Sequence, residues 1–553
     1  MAPRRRRRVL FIVLVVAGVC GWAAFQRYWF YIPGIIARIR DPIGPTRAVV
    51  WAQGPEAAAP TAGQRPPNIV LILADDLGFN DLTFGGGGVA GGAVSTPNID
   101  SIAKDGVTFT NGYAGDATCA PSRAAIMTGR YATRFGFEFT PAPIAFEKLL
   151  GHTMNGLHPA IYHAEREHDV PPVADMAVPP DETTVAQLLK SHSYHTLFFG
   201  KWHLGETAST RPEARGFDET LGFLPGASLY LPTNDPHVVN SVQDFDPIDK
   251  FLWANLPFAV TNNGSPRFTP GGYMTDYLAD EAVKAIAANR NRPFFMYLAF
   301  NAPHTPLQAL QSDYDALPSI TDHRLRVYAA MIRALDRNVG KVLAALKQNG
   351  LENDTLVIFT SDNGGANYIG LPDINRPYRG WKATFFEGGI HVPFFLKWPA
   401  VIPRGATFAA PVAHVDIFAT AAGAAGAALP SDRVMDGVNL IPFLTGQAQG
   451  RPHASLFWRS GPYQTLLAGD WKLQVSDNPR KNWLFNLKDD PTERRNLAAS
   501  DAHRLNELLA QLAAVNAQQS QPLWPSLLEA SLAIDHPLGV PESPDDEYVY
   551  WSN

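Results

Sequence analysis

The chain has 553 residues, 46% hydrophobic and 18% charged, a composition typical of a folded globular protein with room for two or more packing units. The formal net charge is −6, but residues 1–66 contain ten Lys and Arg against two Asp and Glu, so the remainder is strongly acidic. Nucleic-acid affinity rests largely on basic residues that neutralise phosphates. The acidic charge of residues 67–553 therefore excludes a general polyanion-binding function, and we expect no nucleic-acid partner.

Residues 1–40 predict a targeting segment. Five arginines, Arg4–Arg8, precede the apolar run Val9–Phe25, and aromatic residues follow at 28–31. This order predicts a membrane anchor with its N-terminus in the cytoplasm and an exported body in the periplasm or another extracytoplasmic space. The run of 17 residues is slightly shorter than the ~20 of a comfortable span. A cleaved signal peptide and a secreted body therefore stay open as the alternative, with Gly21–Ala23 as the cleavage site.

Residues 41–66 are rich in Pro, Ala and Gly and predict a linker to a catalytic domain at 67–445. In that domain, short continuous apolar runs alternate with segments of helical periodicity. The runs predict strands at Asn68–Ala74, His195–Phe199, Pro293–Phe300, Leu356–Thr360 and Val392–Lys397. The periodic segments predict helices at Thr183–Ser191, Thr275–Ala288 and Arg324–Gln348. Unbroken apolar strands suit burial on both faces, so the pattern predicts an α/β sandwich with a central, mostly parallel sheet between helices.

Residues 446–553 have a different pattern of predicted secondary structure. Short segments at Ala454–Trp458, Gln464–Ala468 and Lys472–Val475 predict a small antiparallel sheet. An Ala/Leu-rich helix near Asp501–Gln518 and an acidic tail follow. We therefore expect a smaller C-terminal antiparallel-sheet subdomain with its tail.

Four of the predicted strands run into polar residues. In chain order these residues are Asp75 and Asp76, Lys201 and His203, His304, and Asp362 and Asn363. Ligands of open parallel sheets bind beyond the carboxyl ends of the strands, so these side chains are expected to converge on one edge. Three aspartates and one asparagine would offer oxygen ligands to a hard cation, Ca²⁺ or Mg²⁺. Each feature alone also has a structural explanation; the pair Asn363-Gly364, for example, is common in hairpin turns.

The lone cysteine of the body, Cys119, opens the segment CAPSRAAIMTGR, which ends at Arg130. A single cysteine is commonly a small buried hydrophobe, but this segment closely resembles the signature of type I sulfatases. In that family a maturation enzyme recognises Cys-x-Pro-x-Arg and oxidises the cysteine to formylglycine. The resemblance extends through most of residues 67–500. Its further blocks are Asn68–Asp76, Asp181–Gly205, Ala302–Leu307, Ser361–Gly365 and Gly380–Gly389.

The resemblance implies an alkaline-phosphatase-like fold and an arylsulfatase-like enzyme. Such an enzyme hydrolyses aryl or carbohydrate sulfate monoesters to an alcohol or phenol and inorganic sulfate, through a formylglycine made from Cys119. The implied ligands of one Ca²⁺ are Asp75, Asp76, the formylglycine at Cys119, Asp362 and Asn363. The implied catalytic residues are Cys119, Arg123, Lys201, His203, His304 and Lys382.

The implied roles follow ordinary chemistry. Arg123, Lys201 and Lys382 would surround the sulfuryl oxygens with positive charge. His304, with Lys382, would protonate the leaving alcohol or phenol, and His203 would remove a proton from the remaining hydroxyl of the hydrated formylglycine.

The chain departs from the family pattern in an insertion at 141–178, which is expected to shape the mouth of the pocket. This insertion contains His152, His158, His163 and His168, which are interpreted as solvated loop histidines, with a metal site as the alternative. A further sulfate-contacting residue of some family members has no clear match; Ser228 is the candidate.

Two other functions remain open at this stage. One is a phosphonate monoester or phosphodiester hydrolase of the same superfamily, although the single-metal ligand set and the lysine blocks at Lys201 and Lys382 favour a sulfatase. The other is a catalytically silent, membrane-tethered binding protein, against which the complete reactive set argues.

Overall fold

The computed structural model describes residues 3–57 and 65–553, without the side chains of residues 3–10, 23, 24, 26 and 27. The strands are β1 Asn68–Ala74, β2 Val107–Phe109, β3 Gly112–Tyr113, β4 Ile161–Tyr162, β5 His195–Lys201, β6 Glu219–Phe223, β7 Val238–Ser241, β8 Thr261–Asn262, β9 Phe294–Ala299, β10 Leu307–Leu310, β11 Thr355–Ser361, β12 Phe394–Lys397, β13 Ala406–Phe408, β14 Val412–Ala413, β15 Ser455–Ser460, β16 Tyr463–Ala468, β17 Trp471–Asp477, β18 Arg480–Asn486, β19 Leu528–Ala533 and β20 Tyr548–Ser552.

The helices are α1 Pro3–Tyr28, α2 Ile32–Arg40, α3 Val89–Gly92, α4 Pro97–Lys104, α5 Cys119–Thr128, α6 Ile144–Thr153, α7 Val185–Ser191, α8 Pro247–Asn255, α9 Met274–Ala288, α10 Gln311–Asp315, α11 His323–Gln348, α12 Glu387–Ile390, α13 Val415–Ala424, α14 Ile441–Leu444 and α15 Ala502–Asn516.

The main sheet has nine strands within the described residues, in the order β13-β2-β12-β11-β1-β9-β5-β6-β8. Its middle strands β11, β1, β9, β5 and β6 are mutually parallel. The strands β12 and β8 run antiparallel to their neighbours β11 and β6. The predicted α/β fold with a mostly parallel central sheet is confirmed.

Strand β1 is buried along its whole length because it faces a core on each side. Val70 and Ile72 lie in the core that contains Leu278 of α9 and Val339 of α11. Alternate residues such as Leu71 lie in the opposite core, with residues of α5 and α13. Successive side chains of a strand point to opposite faces, so an unbroken apolar run fits this central position.

Strand β12 differs from the prediction in its direction and its start. It begins at Phe394, after Pro393, and pairs antiparallel with β11, placing Phe395 opposite Phe359. Proline has no N–H for the ladder, which explains the later start. A continuous apolar run indicates that a strand is buried on both faces. It does not indicate the direction of the strand, which depends on the connection that precedes it.

The C-terminal residues contain the predicted antiparallel sheet, in the order β15-β16-β17-β18, and α15 packs against β16 and β17. A second sheet was not predicted. It has the order β20-β19-β4 and joins the C-terminal tail to the 141–178 insertion. The side chain of the last residue, Asn553, donates to Glu147 Oε1 of α6 at 2.6 Å. The insertion and the tail therefore pack as one unit, while the exact domain boundaries stay predictions.

The prediction of an N-terminal membrane anchor, and of the membrane-anchored location that depends on it, is wrong. Helix α1 contains the predicted apolar run, but no helix in the part of the chain that the structure describes is long and apolar enough to cross a membrane. Arg4–Arg8 belong to the same helix, and the uncharged run beside them is shorter than the ~20 residues that a span needs. Helix α2 then meets the body, where Gly34 N donates to Asn255 Oδ1 at 2.7 Å.

The described part of the predicted linker, 41–57, is packed on the body. Gly44 N donates to Arg267 O at 2.9 Å, and Gly54 N donates to Ala288 O at 2.8 Å. Between them, the buried Trp51 donates its Nε1 to Glu281 Oε2 at 2.9 Å. This stretch is therefore a docked segment, and residues 58–64 lie outside the described residues.

Candidate active site

The parallel register of the central sheet brings the predicted polar residues to one edge. Ala74 pairs with Ser361, so Asp75 and Asp362 follow side by side, and Asp362 N donates to Ala74 O at 3.1 Å. On the other side of β1, strand β9 leads into Asn301 and His304, and β5 ends at Lys201. The predicted convergence is thus explained by the strand order β11-β1-β9-β5.

Asp75 lies between two fully buried cations. Lys201 Nζ donates to both carboxylate oxygens of Asp75 at 2.8 Å. Arg123 Nη2 lies 3.4 Å from Asp75 Oδ1, and Arg123 Nε donates to Asp362 Oδ2 at 2.9 Å. Burial raises the pKa of Asp75 to about 7, against the opposing effect of Lys201. Arg123 also donates to Lys201 O at 3.1 Å, so it connects α5 to the ends of three strands.

Asp76 is the hub of a second set of contacts. Asn363 Nδ2 donates to Asp76 Oδ1 at 2.8 Å, and both Lys382 Nζ and Tyr368 OH donate to Asp76 Oδ2 at 2.9 Å. Burial alone would raise the pKa of Asp76, but Lys382 and His304 hold it below the usual value. The Asp76 carboxylate is therefore ionised. The backbone of Asp76 has a φ of 62°, in the left-handed region, which is strained for a residue other than glycine.

Cys119 is the first residue of α5 and its thiol faces this hub. Its Sγ lies 3.9 Å from Asp76 Oδ1, and the residue is 3% exposed. Burial raises the pKa of the thiol to about 12, although Lys201 and Lys382 act in the opposite direction. The thiolate is the nucleophilic form of cysteine, so an unmodified Cys119 at neutral pH would be a poor nucleophile here.

The two predicted histidines flank the cluster and are nearly buried. Burial, together with Lys201 and Arg123, holds the pKa of His203 well below its usual value, and its Nδ1 finds no partner among the described residues. His304 Nε2 lies 3.7 Å from Asp76 Oδ2. Burial lowers the pKa of His304 to about 3, although Asp76 opposes the shift. Both imidazoles are therefore neutral at pH 7.

The residues present fit a hard cation. One ligand atom each of Asp75, Asp76, Cys119 and His304 lies within 4.8 Å of the others. The carbonyl oxygen of the Asn363 side chain, Oδ1, is buried and accepts no hydrogen bond within the described ranges. A buried amide oxygen without a donor is costly, and Ca²⁺ takes carboxylate and amide oxygens as ligands. Asp75, Asp76 and Cys119 of this group were among the predicted ligands, whereas His304 was not, and the full ligand set stays a prediction.

A family model described as Sulfatase matches residues 67–427. The chain belongs to the sulfatase family. It is similar to the steryl-sulfatase of Mus musculus, with 30% identity over 562 residues and 83% of each chain covered. It is also 30% identical over 502 residues to the N-acetylgalactosamine-6-sulfatase of Homo sapiens, covering 84% of this chain and 87% of the relative. The protein is a sulfuric ester hydrolase, and its substrates are sulfate esters.

The structure of Ps i-CgsB in complex with k-i-k-neocarrahexaose is similar to the structure of this sulfatase. The two chains are 33% identical, with a TM-score of 0.69 and coverage of 83% of this chain and 95% of that one. This likeness agrees with the alkaline-phosphatase-like fold expected from the sequence.

Sequence reasoning about this sulfatase missed Tyr368. Its hydroxyl donates to Asp76 and accepts a hydrogen bond from Lys382 Nζ at 3.1 Å. It lies five residues after Asn363 on the same strand-end loop, and that proximity is the only signal that the sequence carries for it.

The support of Lys382 was also missed, because it comes from the C-terminal sheet. Tyr463 OH accepts from Phe385 N at 2.9 Å, in the loop that carries Lys382. Buried Lys472 Nζ lies 2.7 Å from Glu387 Oε1 and 3.0 Å from Glu493 Oε1. The contacts of Tyr463 with Phe385 and of Lys472 with Glu387 join parts of the chain that are 78 and 85 residues apart, and no local pattern predicts them.

The weaker predictions have different outcomes. Ser228 donates to Pro257 O at 3.0 Å, so its hydroxyl is used by backbone and nothing places it at the Cys119 cluster. In the insertion, His163 pairs with Glu529 at 2.9 Å and His158 stacks on Tyr548, while His152 and His168 are exposed. Among the described residues, none of these four histidines belongs to a group of side chains that could hold a metal ion.

Proposed function

We propose that the sulfatase hydrolyses its sulfate esters through a formylglycine produced from Cys119 by a maturation enzyme. The observation that carries the proposal is the placement of Cys119, at the first turn of α5 and 3.9 Å from the ionised Asp76. The burial that raises the pKa of the thiol argues against direct attack by cysteine. A hydrated aldehyde at this position would supply an oxygen nucleophile instead.

We assign one Ca²⁺ to this edge, held by Asp75, Asp76, Asp362, Asn363 and the modified Cys119. When bound, the ion supplies positive charge that favours ionisation of a hydroxyl and polarises a sulfuryl oxygen. Support comes from the carboxylates of Asp75 and Asp76, which lie within 4.8 Å of each other, and from the buried Asn363 Oδ1, which accepts no hydrogen bond within the described residues.

The three cations have different positions, and we assign them different tasks. Lys382 is 12% exposed at its side chain and faces Asp76 beside Cys119, so it can reach a sulfuryl oxygen directly. Lys201 is fully buried on Asp75 and would neutralise charge from the opposite side. Arg123 is also fully buried and binds Asp362, so it would act by holding that carboxylate and the Lys201 backbone in place.

We assign proton transfer to the histidines. His203 is neutral, and its Nδ1 has no hydrogen-bond partner in the part of the chain that the structure describes, so it is suited to accept a proton from the formylglycine hydroxyl. His304, together with Lys382, is suited to protonate the leaving oxygen. His304 is neutral beside Asp76, so this role requires the negative charge of the bound sulfate ester to favour its protonated form.

The identity of the alcohol or phenol is the finer part of the proposal. The named relatives act on or bind different molecules, a steryl sulfate, an N-acetylgalactosamine 6-sulfate and k-i-k-neocarrahexaose by their names. Both aryl and carbohydrate sulfates are therefore retained as substrate classes here. The phosphonate monoester or phosphodiester activity is not favoured by these relatives.

The test is a matched set of p-nitrophenyl substrates with the matured protein. We expect turnover of p-nitrophenyl sulfate to exceed that of p-nitrophenyl phenylphosphonate and bis-p-nitrophenyl phosphate, and Cys119→Ala to remove all three activities. A preference for the phosphonate or the diester, or full activity in Cys119→Ala, would contradict the proposal.

A further inference from the structure

Asp249 is a fully buried carboxylate that has no part in the proposed reaction. It lies in the first turn of α8. Its Oδ2 accepts from Gln243 N at 2.7 Å and from Trp253 Nε1 at 2.8 Å, and its Oδ1 accepts from the hydroxyl of Thr305 at 2.8 Å. Burial raises the pKa of this carboxyl group, and the three hydrogen bonds oppose the shift. Oδ2 is therefore used within the segment 243–253, whereas Oδ1 joins that segment to Thr305.

Thr305 connects Asp249 to the imidazole of His304. The backbone carbonyl of Thr305 is hydrogen-bonded to His304 Nδ1. A carbonyl oxygen can only accept, so Nδ1 carries the proton. In the neutral ring Nε2 then has no proton, and it lies 3.7 Å from Asp76 Oδ2. Thr305 therefore binds Asp249 through its hydroxyl and His304 through its carbonyl.

The main chain of His304 is fixed by other bonds. His304 N donates to Asn301 O at 2.9 Å, and His304 O accepts from Tyr230 OH at 2.9 Å. These bonds do not determine how the imidazole is turned about its side-chain torsions. Within the described residues the ring makes one hydrogen bond, from Nδ1 to Thr305 O. The direction of the ring therefore depends on where the Thr305 carbonyl points.

We propose that Asp249 is a positioning residue for the acid step, which acts through Thr305 to fix the tautomer and the direction of the His304 ring. The proposal rests on the proposed function, which assigns protonation of the leaving oxygen to His304. With Nδ1 bonded to Thr305, a proton that His304 delivers leaves from Nε2, the nitrogen that faces the cluster. Groups that orient a histidine from behind are worth about 10–100-fold in activity at metal sites.

The same contacts connect the 141–178 insertion to the acid step. Phe146 of α6, in the insertion, makes an edge-on ring contact with Phe251 of α8, with ring centroids 5.3 Å apart. Helix α8 also carries Asp249, which is bonded to the residue that follows His304. The insertion is therefore joined to His304 through α8, as well as to the tail.

The alternative role of Asp249 is to stabilise the segment 243–253 alone, and its two oxygens allow the roles to be separated. Thr305→Val keeps the size of the side chain and removes the hydroxyl that binds Oδ1, whereas Thr305→Ser keeps a hydroxyl. Trp253→Phe removes a donor to Oδ2 and leaves the bond to Thr305 intact. It is therefore the matched control for a purely local effect.

The kinetic experiment uses the full-length, matured protein and phenyl sulfates whose phenols differ in basicity. Asp249→Ala and Thr305→Val should lower kcat/KM about tenfold or more for phenyl sulfate. The loss should be much smaller for p-nitrophenyl sulfate, because acid catalysis matters most for poor leaving groups. Thr305→Ser and Trp253→Phe should keep the wild-type dependence on the leaving group. Thermal melting shows which variants are folded, and Thr305→Val tests the proposal if Asp249→Ala does not fold.

The second measurement is NMR of the His304 ring nitrogens in protein with isotope-labelled histidine, assigned by the signals lost in His304→Ala. We expect the Nδ1–H tautomer in the wild type, Thr305→Ser and Trp253→Phe, and loss of this preference in Asp249→Ala and Thr305→Val. A wild-type ring protonated at Nε2 alone, or an unchanged tautomer in both variants, would overturn the proposal.

The two measurements together separate this proposal from the proposed function. If His304→Ala steepens the dependence on the leaving group and neither Asp249→Ala nor Thr305→Val does so, the proposal is overturned. If the tautomer changes in both variants but even His304→Ala shows no leaving-group effect, the positioning by Asp249 is supported. The acid role assigned to His304 is then refuted instead.

Discussion

Asn363 donates its side-chain amide to Asp76 Oδ1 at 2.8 Å, while its own buried Oδ1 accepts no hydrogen bond within the described residues. The amide nitrogen of Asn363 is therefore held by the ionised Asp76, whereas its carbonyl oxygen has no hydrogen-bond donor among the described residues. This relationship is what a cation between the ends of β1 and β11 would complete.

The first prediction concerns that cation. A ligand that binds the folded state alone raises thermal stability, so Ca²⁺ is expected to raise the Tm of the chelator-treated protein. Asp362→Ala should abolish both the shift and turnover, because it removes one predicted ligand and the partner of Arg123. Differential scanning calorimetry with added Ca²⁺ measures the shift.

The matched control for the metal is Asp81→Asn. Asp81 is also a buried aspartate near β1, but its Oδ2 accepts from Tyr328 OH at 2.6 Å and from Gly78 N at 2.7 Å, outside the cluster. This variant should keep the Ca²⁺ shift. A stringently metal-free wild-type preparation with normal kcat would refute the ligand assignment.

The second prediction separates the two histidines. His304→Ala should slow release of the leaving group, and the deficit should grow with the basicity of the leaving phenol, because acid catalysis matters most for poor leaving groups. His203→Ala should instead give a burst of about one equivalent of phenol and then slow turnover. Stopped-flow kinetics with a series of substituted phenyl sulfates measures both effects. A burst in His304→Ala and none in His203→Ala would reverse the assignment.

The third prediction concerns the support of Lys382 by the C-terminal sheet. Tyr463→Phe removes the acceptor of Phe385 N, which should cost about 1–3 kcal/mol of stability and lower kcat by displacing the Lys382 loop. In a double-mutant cycle with Lys382→Ala, the losses in kcat should be less than additive, since both variants impair the same group. Strictly additive losses would mean that Tyr463 contributes only to stability.

The control for this cycle is Tyr550→Phe. Its hydroxyl donates to Pro159 O at 3.0 Å in the sheet between insertion and tail, away from the Lys382 loop. Its effect on kcat should be small and should add to that of Lys382→Ala.

The fourth prediction concerns pH and the packing of the tail. Burial raises the pKa of Glu147 to about 7, and within the described residues only one of its carboxylate oxygens has a partner, Asn553 Nδ2. A carboxyl whose pKa is raised in the folded state binds its proton more tightly there, so its stability contribution is lost as pH rises from about 4.5 to 7. Glu147→Gln, neutral at every pH, should therefore stabilise the protein at pH 8 by about 1–3 kcal/mol, and by much less at pH 4.5.

Chemical denaturation of wild type and Glu147→Gln at the two pH values measures this difference. An equal effect of the substitution at pH 4.5 and pH 8 would contradict a raised pKa.

Local patterns were sufficient for the strands that position the site. The run Asn68–Ala74 gives its own location, burial and the polar residues that follow, since a strand buried on both faces must be apolar throughout. The residues Asp75, Lys201, His304 and Asp362 could be grouped because parallel strands end at one edge. Tyr368 could not be assigned, because its role depends on a loop conformation that no periodicity encodes.

Contacts between segments that are far apart in the chain could not be predicted from local sequence patterns. The contact of Lys472 with Glu387, and the pairing of β4 with β19, join segments that are far apart in the chain. The prediction of a membrane anchor failed for another reason. The apolar run and the arginines before it are part of helix α1, but they do not make this helix long and apolar enough to cross a membrane. The linker at 41–66 stays a prediction, and within its described part Gly54 N donates to Ala288 O.

The most direct test of the account is the mass of the peptide that contains Cys119, measured on a preparation of known specific activity. We expect a peptide about 18 Da lighter than the cysteine form, as conversion of the thiol to an aldehyde requires. The converted fraction should rise in proportion to specific activity across preparations made with and without the maturation enzyme. A fully active preparation in which Cys119 is entirely unmodified would contradict the account.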